Sequence, residues 1–394
     1  MSVAAGEISP FDAHLDEEQR ALLARTVELA SSTFAPIAAE NEEGTIDRPL
    51  LKALAEQGLL GRLFTRTDEG WRPDVSALDL CLIREGLARG STAAETAFAL
   101  QGLGTFPILQ SGRREAVEEW LPRIAAGEAA AGFALTEPQA GSDVASLALG
   151  AERDGSGYRL SGEKIWISNA PEADVYSVFA RTSEGAGARG LTAFLVPRES
   201  EGLSGEGLRL LSPHPIGRLV FDGVPVPEEY VLGEVDRGFA VAMLTLDMFR
   251  PSVGAFAVGM ALAALDAAAD HAAEREAFGR HLKDFQAVSH RLADIATRVQ
   301  AARLLVHHAA QAYDLGLRGR ELTQAAAMAK LMATEVAQEA VDAAVQVLGA
   351  RALVRGHLLE HLYRDVRAPR IYEGASEIQR EIIARTLFAQ GGRS

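Results

Sequence analysis

The sequence predicts a mainly α-helical protein with a β domain in its middle. Residues on both sides of that domain carry the apolar spacing of helices, whereas the middle has short alternating runs separated by turn-forming residues. The pattern changes near residues 130 and 235. We therefore predict an N-terminal helical domain at 1–130, a middle antiparallel β-barrel at 131–235 and a C-terminal four-helix bundle at 236–394.

The individual elements follow from these patterns and from the positions of glycine and proline. Helices are predicted at residues 15–40, 49–57 and 75–88 and from residue 93 onward. Strands are predicted at residues 131–135, 158–168, 175–180, 191–196 and 219–221. The C-terminal region consists of alanine-rich helices that are broken near Gly279, Gly316, Gly349 and Pro369. Its most apolar stretch, 251–265, is about fifteen residues long, which is too short to span a bilayer and indicates a buried helix.

The composition fits a protein with large cores and limits its partners. Of the 394 residues, 48% are hydrophobic, and a net charge of −15 disfavours a general nucleic-acid surface. Cys81 is the single cysteine, so no intrachain disulfide can form and a reducing compartment, the cytoplasm, is the simplest expectation. The acidic segment 1–20 lacks the apolar core of a secretory signal.

The segment 133–143 has the chemistry of a ligand-binding loop. Gly141 has no Cβ, so a ligand can approach the backbone there, and Thr136 and Ser142 supply hydroxyls. A turn of this kind can direct backbone N–H groups towards a phosphate or a polar ring edge. An ordinary polar turn is the alternative for the loop considered alone.

The predicted hairpin at 158–168 places an aromatic ring beside a hydroxyl. Period two puts Trp166 and Ser168 on one face, about 6–7 Å apart. Together they can cover a flat ring and hydrogen-bond one of its nitrogens, although a half-buried tryptophan on a sheet is the alternative. We interpret Lys164 as a surface charge.

Glu373 lies between Tyr372 and Gly374, just before a predicted helix. Residues 376–379 match a capping box, and the helix carries an apolar stripe of Ile378, Ile382, Ile383 and Leu387. The helix dipole favours the anionic form of Glu373, whereas burial raises its pKa towards that of a usable base. A capping or solvated carboxylate is the alternative.

In this order and at these separations, the three segments resemble the acyl-CoA dehydrogenase family. Further similar stretches are residues 246–250, 274–279, 285–286 and 346–350. The resemblance covers nearly the whole chain, and it is specific for the family but not for a substrate. It implies FAD as cofactor and α,β-dehydrogenation of an acyl-CoA thioester to trans-2-enoyl-CoA, within fatty acid metabolism.

The resemblance also implies roles for individual residues. Glu373 would remove the α-proton while hydride passes from the β-carbon to flavin N5. The implied cofactor contacts are Phe133, Leu135, Thr136, Gly141, Ser142, Trp166, Ser168, Arg275, Phe278, Gln286, Gln346, Gly349, Ala375, Ser376 and Glu377. The implied substrate contacts are Ser142, Asp247, Arg250, Tyr372 and Gly374. Ser168 stands where the family often has threonine, and Ala350 and the segment 212–215 depart from the usual pattern.

The resemblance further implies an assembly and an electron acceptor. Five residues resemble those that reach a cofactor held by a neighbouring subunit: Arg275, Phe278, Gln286, Gln346 and Gly349. We therefore expect a homo-oligomer, either a dimer or a homotetramer built as a dimer of dimers. The expected acceptor is an electron-transferring flavoprotein.

Three other functions on the same scaffold stay open. An acyl-CoA oxidase would pass its electrons to O₂, and the sequence does not separate that activity from a dehydrogenase. A flavin monooxygenase is disfavoured because Glu373 is present, and a DNA-binding relative is disfavoured because the chain is acidic.

Two local patterns have simpler interpretations. Asp247 and Arg250 are three residues apart on a predicted helix, so a plain surface pair is the alternative to a role in binding CoA. His357, Glu360 and His361 match a zinc-protease pattern, but a zinc site also needs a third ligand and an oriented water, and we predict no metal.

Overall fold

The computed structural model describes residues 10–390, apart from residues 69, 73, 74 and 186. Residues 1–9, which begin the segment predicted to lack a secretory signal, lie outside the described residues. The helices are α1 (Glu17–Leu29), α2 (Ala35–Ala38), α3 (Arg48–Glu56), α4 (Ala77–Gly90), α5 (Thr92–Ser111), α6 (Arg114–Ala125), α7 (Gly238–Glu274), α8 (Gln286–Asp314), α9 (Arg320–Leu348), α10 (Leu358–Asp365) and α11 (Ser376–Gln390). The strands are β1 (Thr65–Thr67), β2 (Gly70–Arg72), β3 (Ala131–Ala134), β4 (Gly150–Asp154), β5 (Gly157–Ser168), β6 (Val175–Arg181), β7 (Leu191–Pro197), β8 (Leu203–Gly207), β9 (Ile216–Val226), β10 (Val231–Leu232), β11 (Glu276–Ala277) and β12 (Arg280–His281).

The chain is divided into two compact units. One contains the described residues of 10–35, 76–95 and 248–390, and the other contains those of 36–75 and 96–247. The predicted order of N-terminal helices, a middle β domain and C-terminal helices is confirmed. The N-terminal helices are shared between the two units, and the domain boundaries at residues 130 and 235 stay a prediction.

Long helices form the first unit. Helix α9 packs against α8, α10 and α11, while α4 packs against α1 and α8. The core between them is made largely of alanine, valine and leucine. Small side chains let helices approach closely, so the alanine content that predicts helix also serves the packing.

Helix α7 is longer than the sequence indicated. It runs over 37 residues and includes Pro251, where the predicted stretch 251–265 would have begun. By length and composition it could cross a membrane, with a mean hydropathy of 1.7 in its most apolar window, but 72% of that window is buried inside the protein. Its residues from Ala255 to Ala268 lie in the helical core, so the prediction of a buried helix is confirmed although its bounds were wrong.

The second unit is built on an eight-stranded sheet. The strand order is β10-β7-β6-β4-β5-β9-β8, and β3 pairs with β6. Pairing is antiparallel except that β3 and β4 run parallel to β6. The order has two free ends within the described residues, so backbone hydrogen bonds do not close the predicted antiparallel barrel. Strands β5 and β9 pair along most of their length, and this pairing fixes the position of Ser168 at the end of β5.

Candidate active site

The predicted ligand-binding loop follows β3 and is anchored by a buried carboxylate. Glu137 is 2% exposed and accepts hydrogen bonds from the backbone N–H groups of Ala148, at 2.7 Å, and Leu149, at 2.9 Å. It also accepts one from Lys164 Nζ at 2.7 Å. These bonds tie both ends of the segment between β3 and β4 to one carboxylate, so the loop has a defined conformation.

The interpretation of Lys164 as a surface charge was wrong. The side chain is fully buried, and Nζ donates to the Leu135 carbonyl at 2.8 Å as well as to Glu137. Burial lowers the pKa of Lys164 to about 8, and the Glu137 carboxylate opposes that effect. Sequence spacing missed the pair because Glu137 and Lys164 are distant in sequence and meet only when β5 lies beside the loop.

Strand β5 brings Trp166 to this loop, but not through simple alternation. The Ile165 N–H donates to the Thr136 carbonyl at 3.0 Å. Trp166 has φ 60°, which is rare for a residue with a Cβ, and the register against β9 shifts between Lys164 and Ile167. Simple alternation therefore does not describe this stretch of β5, and the placement of Trp166 and Ser168 on one face stays a prediction. The bulge leaves the indole 52% exposed at a site where a flat ligand could cover it.

The end of β5 is supported by the segment that departs from the family pattern. Asn169 donates from its backbone N–H to the Pro215 carbonyl at 2.9 Å and from its side chain to the Ala131 carbonyl at 2.9 Å. The residue that follows Ser168 is thus bound to both the segment 212–215 and β3. This gives the segment 212–215 a structural role beside the predicted cofactor residues.

The residues of this unit fit a bound FAD. The hydroxyls of Thr136, Ser142 and Ser168 make no hydrogen bond to any residue that the structure describes. A Cβ at Gly141 would meet no atom within 4 Å, so the backbone there is open to a ligand. Phe133 is half-buried against Phe179, with ring centroids 5.0 Å apart, and offers an apolar wall. Unused hydroxyls, open backbone and an exposed indole are what a planar, polar-edged cofactor requires.

Glu373 lies in a strained turn before α11. Its φ is 50° and that of Gly374 is 93°, so two consecutive residues adopt left-handed conformations. A Cβ at position 374 would clash with Nε2 of Gln379, which donates to the Gly374 carbonyl at 2.8 Å. The Gln379 amide could shift, but a φ of 93° is rare for a residue with a Cβ, so the backbone itself favours glycine at position 374, and the Glu-Gly order of the sequence reflects the shape of this turn.

The Glu373 carboxylate has the environment of a base. Its Oε2 is buried and has no hydrogen-bond partner among the described residues. Burial raises the pKa of Glu373 above its ordinary value, while the positive charges of Arg84, Lys330 and Arg250 oppose that rise. A buried carboxylate with an unpaired oxygen and a raised pKa can accept a proton from a weak carbon acid.

The capping box predicted at 376–379 does not form. Ser376 Oγ donates to Glu335 at 2.7 Å, and the Gln379 N–H donates to the Ala375 carbonyl instead of to a serine side chain. Glu335 also pairs with Arg370 at 2.8 Å. The start of α11 is therefore held by α9 rather than by its own cap. Leu387 at the end of the predicted apolar stripe is 54% exposed.

A second buried ion pair in the helical unit escaped the sequence analysis. Arg84 is bonded to the Glu95 carboxylate and donates to Ser252 Oγ at 2.7 Å. Both charged side chains are less than 5% exposed. The pair and its bond to Ser252 connect α4, α5 and α7. The sequence did not predict this pair, because Arg84 and Glu95 are eleven residues apart and lie on different helices.

Arg250 is buried at 6% exposure, so a plain surface pair with Asp247 is the wrong interpretation for Arg250. Asp247 is half-buried. The charge of Arg250 acts on the pKa of Glu373, as described above. The predicted contacts of Asp247 and Arg250 with CoA stay a prediction.

The residues predicted to reach a neighbouring subunit are exposed in the single chain. Arg275 directly precedes the β11–β12 hairpin, which was not predicted from the sequence, and Phe278 lies in its turn and is 95% exposed. Gln286 begins α8, Gln346 lies in the last turn of α9, and Gly349 directly follows that helix. Because α8 and α9 pack together and are joined by a short loop, the start of one and the end of the other lie at the same end of the pair.

The zinc-protease pattern is used structurally. His357 accepts the Leu359 N–H at 3.1 Å as a helix cap, Glu360 pairs with Arg364 at 2.8 Å, and His361 lies 3.1 Å from Asp365. No group of three or more histidine, cysteine, aspartate or glutamate side chains suited to a metal occurs among the described residues.

Comparison with known proteins identifies the class. The acyl-CoA dehydrogenase N-terminal, middle and C-terminal domain models match residues 16–128, 132–224 and 236–388. The chain belongs to the acyl-CoA dehydrogenase family, and it is an FAD-dependent oxidoreductase that acts on acyl-CoA.

Three individual proteins illustrate the range of this similarity. The cyclohexane-1-carbonyl-CoA dehydrogenase of Geobacter metallireducens is 37% identical over 378 residues, covering 95% of this chain and 98% of its own. Subunit CarC of the caffeyl-CoA reductase-Etf complex of Acetobacterium woodii is 36% identical over 351 residues, covering 88% of this chain and 91% of its own. A solved FAD complex of PigA superposes with a TM-score of 0.88 at 27% identity, covering 95% of this chain and 99% of the PigA chain.

Proposed function

We propose that this chain converts an acyl-CoA to trans-2-enoyl-CoA with Glu373 as the base that removes the α-proton. The observation that carries the proposal is the Glu373 carboxylate itself, whose Oε2 is buried without a hydrogen-bond partner among the described residues and which is held in a strained turn. The family membership supplies the reaction class, and this carboxylate supplies a group able to start the reaction.

The chemistry explains why the base is held so firmly. An α-proton of a thioester is a far weaker acid than a protonated carboxylate, so its removal needs a base of raised pKa and stabilisation of the charge that develops on the carbonyl oxygen. Burial provides the first condition at Glu373. For the second condition, stabilisation of the charge on the carbonyl oxygen, the family resemblance implies the Glu373 backbone N–H as a hydrogen-bond donor.

FAD, when bound, supplies the acceptor for the β-hydride. Thr136, Ser142 and Ser168 would hydrogen-bond its polar edges, and Trp166 and Phe133 would cover its apolar surface. The Glu137–Lys164 pair would keep the loop of Thr136 and Ser142 in place while the cofactor binds.

The base is tested by Glu373→Gln, which preserves size and removes the proton acceptor. FAD and acyl-CoA should still bind, while single-turnover bleaching of the flavin falls by roughly 10²–10⁴ or more. Asp247→Asn is the matched comparison, since it also replaces a carboxylate by its amide, and it should retain bleaching and raise the acyl-CoA concentration needed. If Glu373→Gln is reduced at a near-normal rate and Asp247→Asn is not, the base has been assigned to the wrong residue.

The acyl group is best sought with a panel of three acyl-CoA thioesters. Butyryl-CoA, cyclohexane-1-carbonyl-CoA and an arylpropionyl-CoA, each with a dye acceptor, would distinguish a straight-chain, a cyclic and an aromatic substrate. The caffeyl-CoA reductase relative raises a second candidate, in which the same site works in the direction of reduction. Comparing acyl-CoA oxidation with enoyl-CoA reduction by chemically reduced enzyme measures both directions.

An electron-transferring flavoprotein is the proposed acceptor, with O₂ as the oxidase alternative. Rapid reoxidation of the substrate-reduced enzyme in air would identify an oxidase, whereas reoxidation that requires added flavoprotein identifies a dehydrogenase. We further propose a homotetramer in the cytoplasm, supported by the exposed Phe278 and by the single buried cysteine. A monomer with full activity in light scattering would refute the assembly.

A further inference from the structure

A buried lysine holds the turn that carries the proposed base. Lys330, in the middle of α9, is completely buried, and its Nζ donates to the Tyr372 carbonyl at 3.0 Å and to the Gly374 carbonyl at 2.7 Å. These two carbonyls flank Glu373 on either side. A single ammonium group therefore bridges the residue whose backbone has the left-handed φ.

The bond to Tyr372 has a directional consequence. The Tyr372 carbonyl and the Glu373 N–H belong to one planar trans peptide, so they point in opposite directions. When Lys330 binds the carbonyl, it fixes the direction of the Glu373 N–H. That N–H is the group expected to bind the thioester oxygen, and Lys330 therefore orients it without touching the substrate.

The charge of Lys330 acts on the same residue. Burial lowers the pKa of Lys330 to about 8, while the Glu373 carboxylate opposes this and Arg250 adds to it. In return, Lys330 helps to restrain the rise in the pKa of Glu373. The other charged groups acting on the two residues come from α4, α9 and α11: Arg84 on Glu373, and Glu335 and Glu377 on Lys330.

We infer that Lys330 is a positioning residue for the reaction, which orients Glu373 and its N–H by binding the carbonyls of Tyr372 and Gly374. The inference rests on the proposed function, because it takes Glu373 to be the base. A lysine suits this role better than an arginine, since three donors on one small atom can bind two converging carbonyls.

Lys330→Met tests the inference, because methionine fills a similar volume and supplies neither donors nor charge. The substrate is the acyl-CoA that bleaches the wild-type flavin fastest among butyryl-CoA, cyclohexane-1-carbonyl-CoA and arylpropionyl-CoA. With this substrate, the rate of flavin reduction at pH 7 should fall about 10- to 100-fold in Lys330→Met. The acid limb of the pH–rate profile should also move up by about one pH unit, since a positive charge beside the base is lost.

Two further variants separate the effects of donor and charge. Gln379→Met removes the other side-chain donor to the Gly374 carbonyl and leaves every charge in place, so it should slow reduction without moving the acid limb. Lys52→Met changes an exposed lysine and should alter neither quantity. A purely structural role for Lys330 would lower thermal stability but leave the acid limb where it is.

The outcomes also distinguish this inference from the proposed function. If Glu373→Gln abolishes flavin reduction while Lys330→Met keeps the wild-type rate and acid limb, the role of Lys330 is refuted and the base stands. If Glu373→Gln is reduced normally, the proposed base fails whatever Lys330→Met does. Should Lys330→Met not fold, adding Glu373→Gln should restore folding, because without Lys330 the Glu373 carboxylate keeps only Arg84 and Arg250 as positive neighbours, and a double variant that is also unfolded refutes the coupling.

Discussion

Replacing Lys164 by methionine should destabilise the protein and loosen its predicted cofactor loop. The ammonium group is fully buried and bonds both the Leu135 carbonyl and the Glu137 carboxylate. Lys164→Met leaves the Glu137 charge buried with only neutral donors around it. Removing one partner of a buried ion pair costs about 3–5 kcal/mol, which exceeds the 1–3 kcal/mol typical of a lost buried hydrogen bond alone.

The double variant Lys164→Met/Glu137→Gln shows whether charge causes the loss. A neutral amide no longer needs a counter-charge, so the double variant should recover part of the stability. Recovery should be incomplete, because each carboxylate oxygen of Glu137 now accepts a hydrogen bond from one backbone N–H, that of Ala148 or that of Leu149. The amide nitrogen of glutamine cannot accept a hydrogen bond, so one of these two N–H groups would lose its acceptor. The expected order of stability is wild type, then the double variant, then Lys164→Met.

The assay is urea unfolding at matched protein and FAD concentrations, combined with the FAD-to-protein ratio after gel filtration. Lys164→Met should lose FAD more readily than the wild type, because the loop that carries Thr136 and Ser142 loses an anchor. Lys52→Met controls for the loss of a lysine in general. If Lys164→Met unfolds within about 1 kcal/mol of the wild type and retains stoichiometric FAD, the argument that this pair anchors the loop is refuted.

Three further predictions follow from the charged groups of the helical unit. Flavin reduction should fall as the pH drops through the raised pKa of Glu373, because the base must be deprotonated to act, and a stopped-flow pH profile with no acid limb above that of an ordinary carboxylate would contradict this. Burial would raise the pKa of Glu85, but Arg303 and His307 lower this pKa to about 2. The ionised Glu85 carboxylate therefore stabilises the fold above pH 4.5, and this stabilisation is lost as the pH falls towards 2. Thermal unfolding of Glu85→Gln should therefore depend less on pH in that window than the wild type, and an unchanged slope would argue against the pair. Arg84→Met should lower the free energy of unfolding by about 3–5 kcal/mol because it removes one member of a buried ion pair, and urea unfolding close to that of the wild type would refute a stabilising role for this pair.

Local patterns predicted the elements better than their ends. The alternating strands at 175–180 and 191–196 correspond to β6 and β7, whose residues are buried almost throughout. The start of α7 was missed because Pro251 was taken as a beginning, whereas the protein accommodates this proline inside the helix. Pairing direction was missed at β3 and β4, since the side-chain period is the same in parallel and antiparallel strands.

The predicted site residues illustrate the same limit. Glu373 was identified from its neighbours in sequence, and Gly374 is favoured by a left-handed φ of 93° that the sequence only hints at. The bulge at Trp166 could not be read from period two, because a bulge depends on the partner strand β9. Residues that act through a distant partner, such as Lys330, require the fold.

Composition nevertheless held a signal for the buried lysines. The chain has 39 basic residues, and only four are lysines: Lys52, Lys164, Lys283 and Lys330. Where arginine supplies nearly all of the positive charge, a remaining lysine is a candidate for a task that arginine performs poorly. Lys164 and Lys330 are both fully buried, and each directs one small ammonium group at converging oxygens: a carbonyl and a carboxylate for Lys164, and two carbonyls for Lys330. The planar fork of arginine would need more space and would bind carboxylates side by side. One of these lysines lies under the predicted cofactor loop and the other under the proposed base, so the same physical preference supports both parts of the reaction.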